Sequence, residues 1–310
     1  MSRPRVVVAL GGNALLRRGE PAEAELQRRH VLEAASALAL LAVDHELVIT
    51  HGNGPQVGLL ALEADAYKEV APYPLDVLGA ESQGMVGYLL VQALRNELPA
   101  QAVVAVLTQV VVGADDPAFG RPTKPIGPVY SPLEARALAR EHGWTMAADG
   151  RSLRRVVASP LPRAIVEARS IELLVRSGAV VVCAGGGGIP VVEEAGLLRG
   201  VEAVIDKDLT AALLAETLRA DRLVLATDVP YVERRWGTTA AERIEATTPQ
   251  DLRSLAFAEG SMAPKVAAAC RFVERTDATC AIGALSDLAA VVRGTSGTQI
   301  ESRHQAVDAA

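Results

Sequence analysis

Lysine is scarce in this chain: of its 31 basic residues only Lys68, Lys124, Lys207 and Lys265 are lysine, and the rest are arginine. Aromatic residues make up 3%, so the core falls to alanine, valine and leucine. That poverty excludes a reader of nucleic acid built on aromatic stacking platforms. A formal net charge of −6 excludes a binder of phosphate backbones, which needs a basic surface. Cysteine occurs three times, at Cys183, Cys270 and Cys280, without a CxxC pair, so neither a zinc cluster nor a disulfide framework is expected. Apolar neighbours place these thiols in buried elements, and unpaired thiols fit a reducing cytoplasm. Met1 leads straight into a strand with no signal-type apolar stretch, and the most apolar window, 34–43, ends at Asp44, too short to span a bilayer. Histidine offers no evident general base: His30, His45, His142 and His304 lie in ordinary helix, strand-edge or tail contexts, and His51 sits at a strand end, a position more often structural. No Ser-His-Asp set, metal-ligand cluster or GxxxxGK[ST] loop is present.

What is there is a regular alternation. Short apolar runs and longer helical stretches succeed one another over 310 residues, the pattern of an α/β fold with a mainly parallel sheet. Strands are expected at 6–10, 46–50, 102–112 (one or a short pair), 179–183, 222–227, 279–284 and 297–300, with another ending near Asp206. Helices are expected at 22–43, 75–97, 132–142, 163–177, 209–218, 249–259, 264–273 and 285–292. Residues 113–162, rich in Gly, Pro and Asp and carrying Arg151, Arg154 and Arg155, break the alternation and read as an insertion, lid or small subdomain. With no repeat and no flexible linker, residues 1–310 read as one domain of two lobes, the first about 1–200 and the second about 201–303, before a tail at 304–310.

Ligands of parallel α/β sheets bind beyond the carboxyl ends of the strands. Four strands here stop at unusual loops: Gly11-Gly12-Asn13, His51-Gly52-Asn53-Gly54, the run Gly185 to Gly188, and Thr227-Asp228. Glycine lets backbone approach an anion, and a following helix N-terminus offers free N–H groups, although a Gly-Gly pair also serves plain chain reversal. The lysines differ in setting. Lys68 lies among charges near a helix end and reads as surface. Lys207 stands between Asp206 and Asp208 at a helix start, where Asp208 can cap and orient it; a helix cap with a surface pair is the competing explanation. Lys265 follows Pro264 at another helix start, and Lys124 lies between Pro122 and Pro125 in the insertion, a stiff arm for reaching over a site. Three loops delivering ammonium groups suggest one anionic substrate. With no base in view, transfer to a nucleophile that is already an anion fits best. Pro190 stands where a dinucleotide fingerprint wants its third glycine, which disfavours a nicotinamide-dependent oxidoreductase.

These residues resemble the carbamate kinases of the amino acid kinase superfamily. The likeness is carried by Val8-Ala9-Leu10-Gly11-Gly12-Asn13-Ala14-Leu15, His51-Gly52-Asn53-Gly54-Pro55-Gln56-Val57-Gly58, Pro122-Thr123-Lys124-Pro125-Ile126-Gly127-Pro128, Ala184 to Pro190, Ile205-Asp206-Lys207-Asp208, Thr227-Asp228-Val229 and Gly260 to Lys265, in the family's order. It implies an α/β/α sandwich with a small protruding subdomain, a homodimer, and reversible phosphoryl transfer between ATP and carbamate through carbamoyl phosphate. Gly11, Gly12, Asn13, Gly52 and Asn53 are implied to hold carbamate or carbamoyl phosphate. Lys207, Thr227, Asp228, Met262 and Lys265 are implied on the nucleotide, with Lys124 brought over the site and Asp208 holding the lysines. Mg²⁺ is implied to arrive with ATP or ADP. N-acetylglutamate kinases carry a lysine two residues before the Gly-Gly pair, where this chain has Ala9. Carbamate kinases commonly have Lys-Asn before Pro-Thr-Lys; here Gly120-Arg121 stands there, so Arg121 would have to supply that cation. Ala9 and the Pro-Thr-Lys-Pro insertion argue against a superfamily kinase with an acylamino-acid or phosphonate acceptor. The three retained lysines argue against a silent nucleotide-binding regulator.

Overall fold

In a computed structural model, residues 3–12, 15–16, 20–21, 23–150, 152–257 and 262–302 are described. Eight strands form the central sheet in the order Ala246–Thr247, Thr298–Ile300, Thr279–Ala284, Arg222–Thr227, Arg5–Leu10, Glu46–His51, Val180–Val182, Val103–Ala105. All neighbouring pairs run parallel except Thr279–Ala284 with Thr298–Ile300. Because side chains alternate across a strand, Val6, Val8 and Leu10 enter one core and Val7 and Ala9 the other. Helices Ala24–Ala42, Leu75–Glu97 and Leu288–Arg293 cover the first face; Ala168–Arg176, Lys207–Thr217 and Met262–Thr276 cover the second. The result is a three-layer α/β/α sandwich whose strands, buried on both faces, are almost wholly apolar. Arg5–Leu10 sits between a strand reached directly (Glu46–His51) and one reached only after the chain has crossed to the far edge and returned (Arg222–Thr227). Its carboxyl end therefore opens into the crevice where such folds bind ligands.

Residues 113–162 are more regular than their composition suggests. Lys124–Tyr130, Ser152–Val157 and Thr145–Asp149 form a small antiparallel sheet beside helix Pro132–His142. That helix has a Ser131/Glu134 capping box and a left-handed Gly143 at its end. Four other expectations need correction. The helix expected over 163–177 is strand Pro162–Ile165 followed by helix Ala168–Arg176, because Ile165 pairs with Val110 in a second sheet of four strands. The strand expected to end near Asp206 is a hairpin, Ile189–Glu194 with Leu197–Gly200, after which residues 201–206 run irregularly. The stretches 249–259 and 264–273 are a short helix Pro249–Arg253 and a longer one, Met262–Thr276, so Pro264 lies inside the first turn rather than opening it. A 3₁₀ turn at Leu285–Asp287 precedes the last helix. No helix among the described residues is long and apolar enough to cross a membrane.

Candidate active site

The carboxyl ends of the central strands bring the glycine loops together. Gly11 N–H donates to the Ala226 carbonyl (3.0 Å) and Gly52 N–H to the Leu10 carbonyl (3.1 Å), so each loop leaves its strand still tied to the neighbour. A Cβ on Gly52 would lie 3.1 Å from Gly12 Cα and 3.6 Å from Lys207 Cδ. A Cβ on Gly11 would lie 3.8 Å from Thr227 Cα. Glycine thus lets two strand loops and a lysine stem crowd one spot. Asn53, at the N-terminus of helix Gly54–Ala66, is buried and donates from Nδ2 to Ser82 Oγ (2.7 Å), and the Ser82 hydroxyl in turn donates to the Gly79 carbonyl (2.8 Å). A hydroxyl that gives its proton to Gly79 can only accept from Asn53, which sets the orientation of the amide. Asn13 lies outside the described residues.

The run Gly185 to Gly188 closes the floor. Gly186 adopts φ +64°, and a Cβ there would strike the Asn53 side chain at 2.1 Å. Ala184 N–H donates to Thr108 Oγ1 (2.9 Å), whose own backbone is gripped by Gln83. Gly187 packs on Ile205, and its carbonyl accepts from Thr210 Oγ1 (2.8 Å). The floor is thereby fixed to the helix that carries Lys207.

Three lysines converge on two aspartates. Asp206, not Asp208, caps helix Lys207–Thr217: its Oδ1 accepts from the Asp208 and Leu209 N–H groups at 2.9 and 3.2 Å. Its Oδ2 accepts from Lys124 Nζ at 2.6 Å, so the subdomain's lysine reaches the main body here. Asp208 instead bridges the other two, with Lys207 Nζ on Oδ1 (2.5 Å) and Lys265 Nζ on Oδ2 (2.9 Å). Asp208 therefore holds the Lys207 ammonium as expected, while the helix N-cap falls to Asp206. Three ammoniums against two carboxylates leave a surplus positive charge in a half-closed crevice.

Burial tunes these groups. The Asp208 and Lys207 side chains are 5% and 9% exposed, while Lys124 is 30% exposed. Burial pushes Lys207 down to about 8, with Lys265 pushing the same way and the attraction of Asp208 offsetting only part. Burial also opposes the charge on Lys265, but the attraction and hydrogen bond of Asp208 outweigh it and the net shift is upward. Burial raises Asp208, yet Lys207 and Lys265 together hold it well below the usual carboxylate range. The fully buried His51 is lowered to about 4, chiefly by burial. Its Nδ1 lies 3.0 Å from the Gly52 carbonyl, which can only accept, so Nδ1 carries the proton of a neutral ring. A proton-accepting role in the crevice does not follow from that arrangement.

The remaining sequence-predicted residues lie at the margin. Thr227 ends its strand beside Gly11 and donates to the exposed Asp228 (3.1 Å). Met262 is half-buried at the start of the helix that presents Lys265 one turn later. Arg121 is exposed, and Lys68 is exposed beside Asp65 (3.3 Å). Asp206, Ser82, Gln83 and Thr108 were not singled out in the sequence; only Asp206 had a signal, an acidic residue at a helix start. Among the described residues no group of three or more His, Cys, Asp or Glu could hold a metal ion, and the three cysteines are buried and free.

Known proteins share this architecture. The amino acid kinase family model matches residues 4–284. A carbamate kinase of Rhizobium meliloti is 55% identical over 302 residues, covering 96% of this chain and 93% of its own length. Among solved structures, carbamate kinase from Giardia lamblia bound to citric acid superposes with a TM-score of 0.91 at 38% identity, covering 97% of this chain and 99% of its own. The same Giardia lamblia enzyme bound to AMP-PNP gives 0.88 at 39% identity, with the same coverage. The chain belongs to the amino acid kinase family and, within it, groups with the carbamate kinases.

Proposed function

We propose that this protein catalyses reversible phosphoryl transfer between ATP and carbamate, giving ADP and carbamoyl phosphate. The observation that carries the reading is the meeting of Lys124, Lys207 and Lys265 on Asp206 and Asp208 beside the Gly11-Gly12 and Gly52-Asn53 loops. A carbamate oxygen forms a bond to the γ-phosphorus as the bond from that phosphorus to the β,γ-bridging oxygen breaks. Carbamate is already an anion and ADP leaves as one, so no proton need move; a neutral, internally bonded His51 is consistent with that. The protein contributes position and charge. The Gly11-Gly12 and Gly52-Asn53 loops border the carbamate side, with Asn13 assigned there by the resemblance alone. Lys207 and Lys265, steadied by Asp208, neutralise the phosphates, and Thr227, Asp228 and Met262 border the nucleotide. Lys124 covers the transferred group. Mg²⁺ enters as part of the nucleotide substrate and shares its phosphate charge.

The AMP-PNP bound by the Giardia lamblia relative supports the nucleotide half of this reading. A homodimer, a cytoplasmic location and net flow toward ATP in arginine or purine catabolism belong to the same proposal. The open edge strand Val103–Ala105 beside exposed Tyr88 and Leu107 offers a face for a second copy. The test is direct: the protein, ADP, Mg²⁺ and carbamoyl phosphate are mixed and ATP is measured. ATP rising with enzyme concentration is the expected result, whereas none above the enzyme-free control would move the assignment to another acceptor.

A further inference from the structure

Two glycines remain unexplained by the chemistry above, each inside a run that marks the family: Gly58 closes His51 to Gly58, and Gly127 lies in Pro122 to Pro128. The fold brings them face to face. A Cβ on Gly58, in the middle of helix Gly54–Ala66, would lie 2.0 Å from Gly127 Cα and 2.3 Å from its nitrogen. Backbone is therefore packed on backbone, with no flexible side chain between to give way. Gly127 itself sits at a register shift of the strand Lys124–Tyr130 with φ +69°, a left-handed conformation that disfavours any side chain. Its carbonyl accepts from Arg154 Nε at 2.7 Å, which ties the bulge to the next strand.

Around this contact the subdomain is seated on the main body. Ile126 and Val157 join Val57, Ala61, Leu75, Leu78 and Val204 in one apolar cluster. Arg155 stacks 4.3 Å over Trp144 at the edge of the seat, and His142 lies 3.2 Å from Asp65 at its outer end. Lys124 is three residues before Gly127 in the same strand, roughly 10 Å away at about 3.3 Å per residue. It ends on Asp206. The seat thus stands between the helix whose N-terminus borders the carbamate side and the arm that carries Lys124.

From this we infer that Gly58 is a positioning residue: its bare backbone sets the distance at which the subdomain docks, and so sets the reach of Lys124 into the active site. The inference rests on the phosphoryl-transfer reading. Adding one methyl group at Gly58 forces the helix and the bulge apart by at least about 1.4 Å to restore ordinary contact, and a misplacement of about 1 Å can already cost about 10²-fold in rate. Because alanine favours a helix more than glycine does, the substitution does not weaken the helix itself.

The test starts from wild-type enzyme that makes ATP; failure at that step overturns the reading of function, not the inference. Gly58→Ala is expected to lower kcat/KM for carbamoyl phosphate by about 10- to 100-fold while KM for ADP stays near wild type. Gly58→Ala combined with Lys124→Ala is expected to be no slower than Lys124→Ala alone, because the two changes remove one function. A Gly58→Ala enzyme of wild-type activity, or losses that multiply in the double variant, would overturn the inference. Should Gly58→Ala not fold, Trp144→Ala loosens the same seat by removing volume instead of adding it. Its loss must likewise vanish in the Lys124→Ala background, and a loss that persists there refutes the inference.

Discussion

Replacing Asp208 by asparagine keeps the shape and removes the charge of the one carboxylate that both Lys207 and Lys265 touch, at 2.5 and 2.9 Å. An amide has one acceptor oxygen and one donor nitrogen, so one ammonium would then face a donor. Taking one partner from a buried ion pair costs about 3–5 kcal/mol. The lower end applies here, because Lys207, already down to about 8, can shed its proton near neutral pH. For 310 residues, an unfolding entropy of about 2.1 cal/mol/K per residue makes about 3 kcal/mol equivalent to a Tm lower by about 5 °C. With Lys207 neutral as well, the site's net charge is unchanged, so ADP should bind about as tightly as in the wild type and raise Tm by about as much. Turnover should nevertheless fall about 10²-fold, because the ammoniums lose the anchor that aims them. Calorimetry with and without saturating ADP, beside the ATP-forming assay, reads all three. Wild-type Tm with wild-type kcat would refute the bridging role, and weakened ADP binding with unchanged kcat would make Asp208 part of the nucleotide site instead.

The legibility of this molecule follows the range of its interactions. Arg222–Thr227 and Leu75–Glu97 agree with the sequence reading residue for residue, since a doubly buried strand and a long helix declare themselves through local apolar pattern. Arg163–Ile165 reads as the start of a helix because its reason to be extended lies elsewhere: Ile165 pairs with Val110, which belongs to another motif. Lys124–Tyr130 carries Pro125 and Pro128 and reads as loop, yet it is the edge strand of its small sheet, where the missing N–H groups face no partner. The glycine loops and three lysines could be picked out by residue type, since strand ends and helix starts are local features. What joins them could not. In Asp206-Lys207-Asp208 either carboxylate can cap, and the division of labour is settled by Lys124 and Lys265, which arrive from distant parts of the chain. Ser82 gave no signal at all, because its hydroxyl matters only through Asn53.

Two further outcomes test the boundary between site and scaffold. Lys68→Ala should leave kcat and KM unchanged, because that side chain is 63% exposed and its pair with Asp65 is screened by solvent; a large loss of ATP formation would show that the wrong lysines were chosen. His51 makes the converse point, a buried group whose effect is on stability. In the unfolded chain it takes up a proton below about 6.5, whereas in the fold it does so only at about 4. Between those values the unfolded state binds more protons, so the stability His51 contributes is present above pH 6.5 and is lost as pH falls. The loss amounts to about 3 kcal/mol once about pH 4 is reached, at about 1.4 kcal/mol per pKa unit. Urea denaturation at about pH 7 and about pH 4 should therefore show wild type losing about 3 kcal/mol more than His51→Gln, other carboxylate and histidine titrations cancelling between the two proteins. Equal losses would mean that the ring takes up its proton in the fold as readily as in the open chain, and the neutral His51 cited as consistent with a proton-free reaction would fall with it.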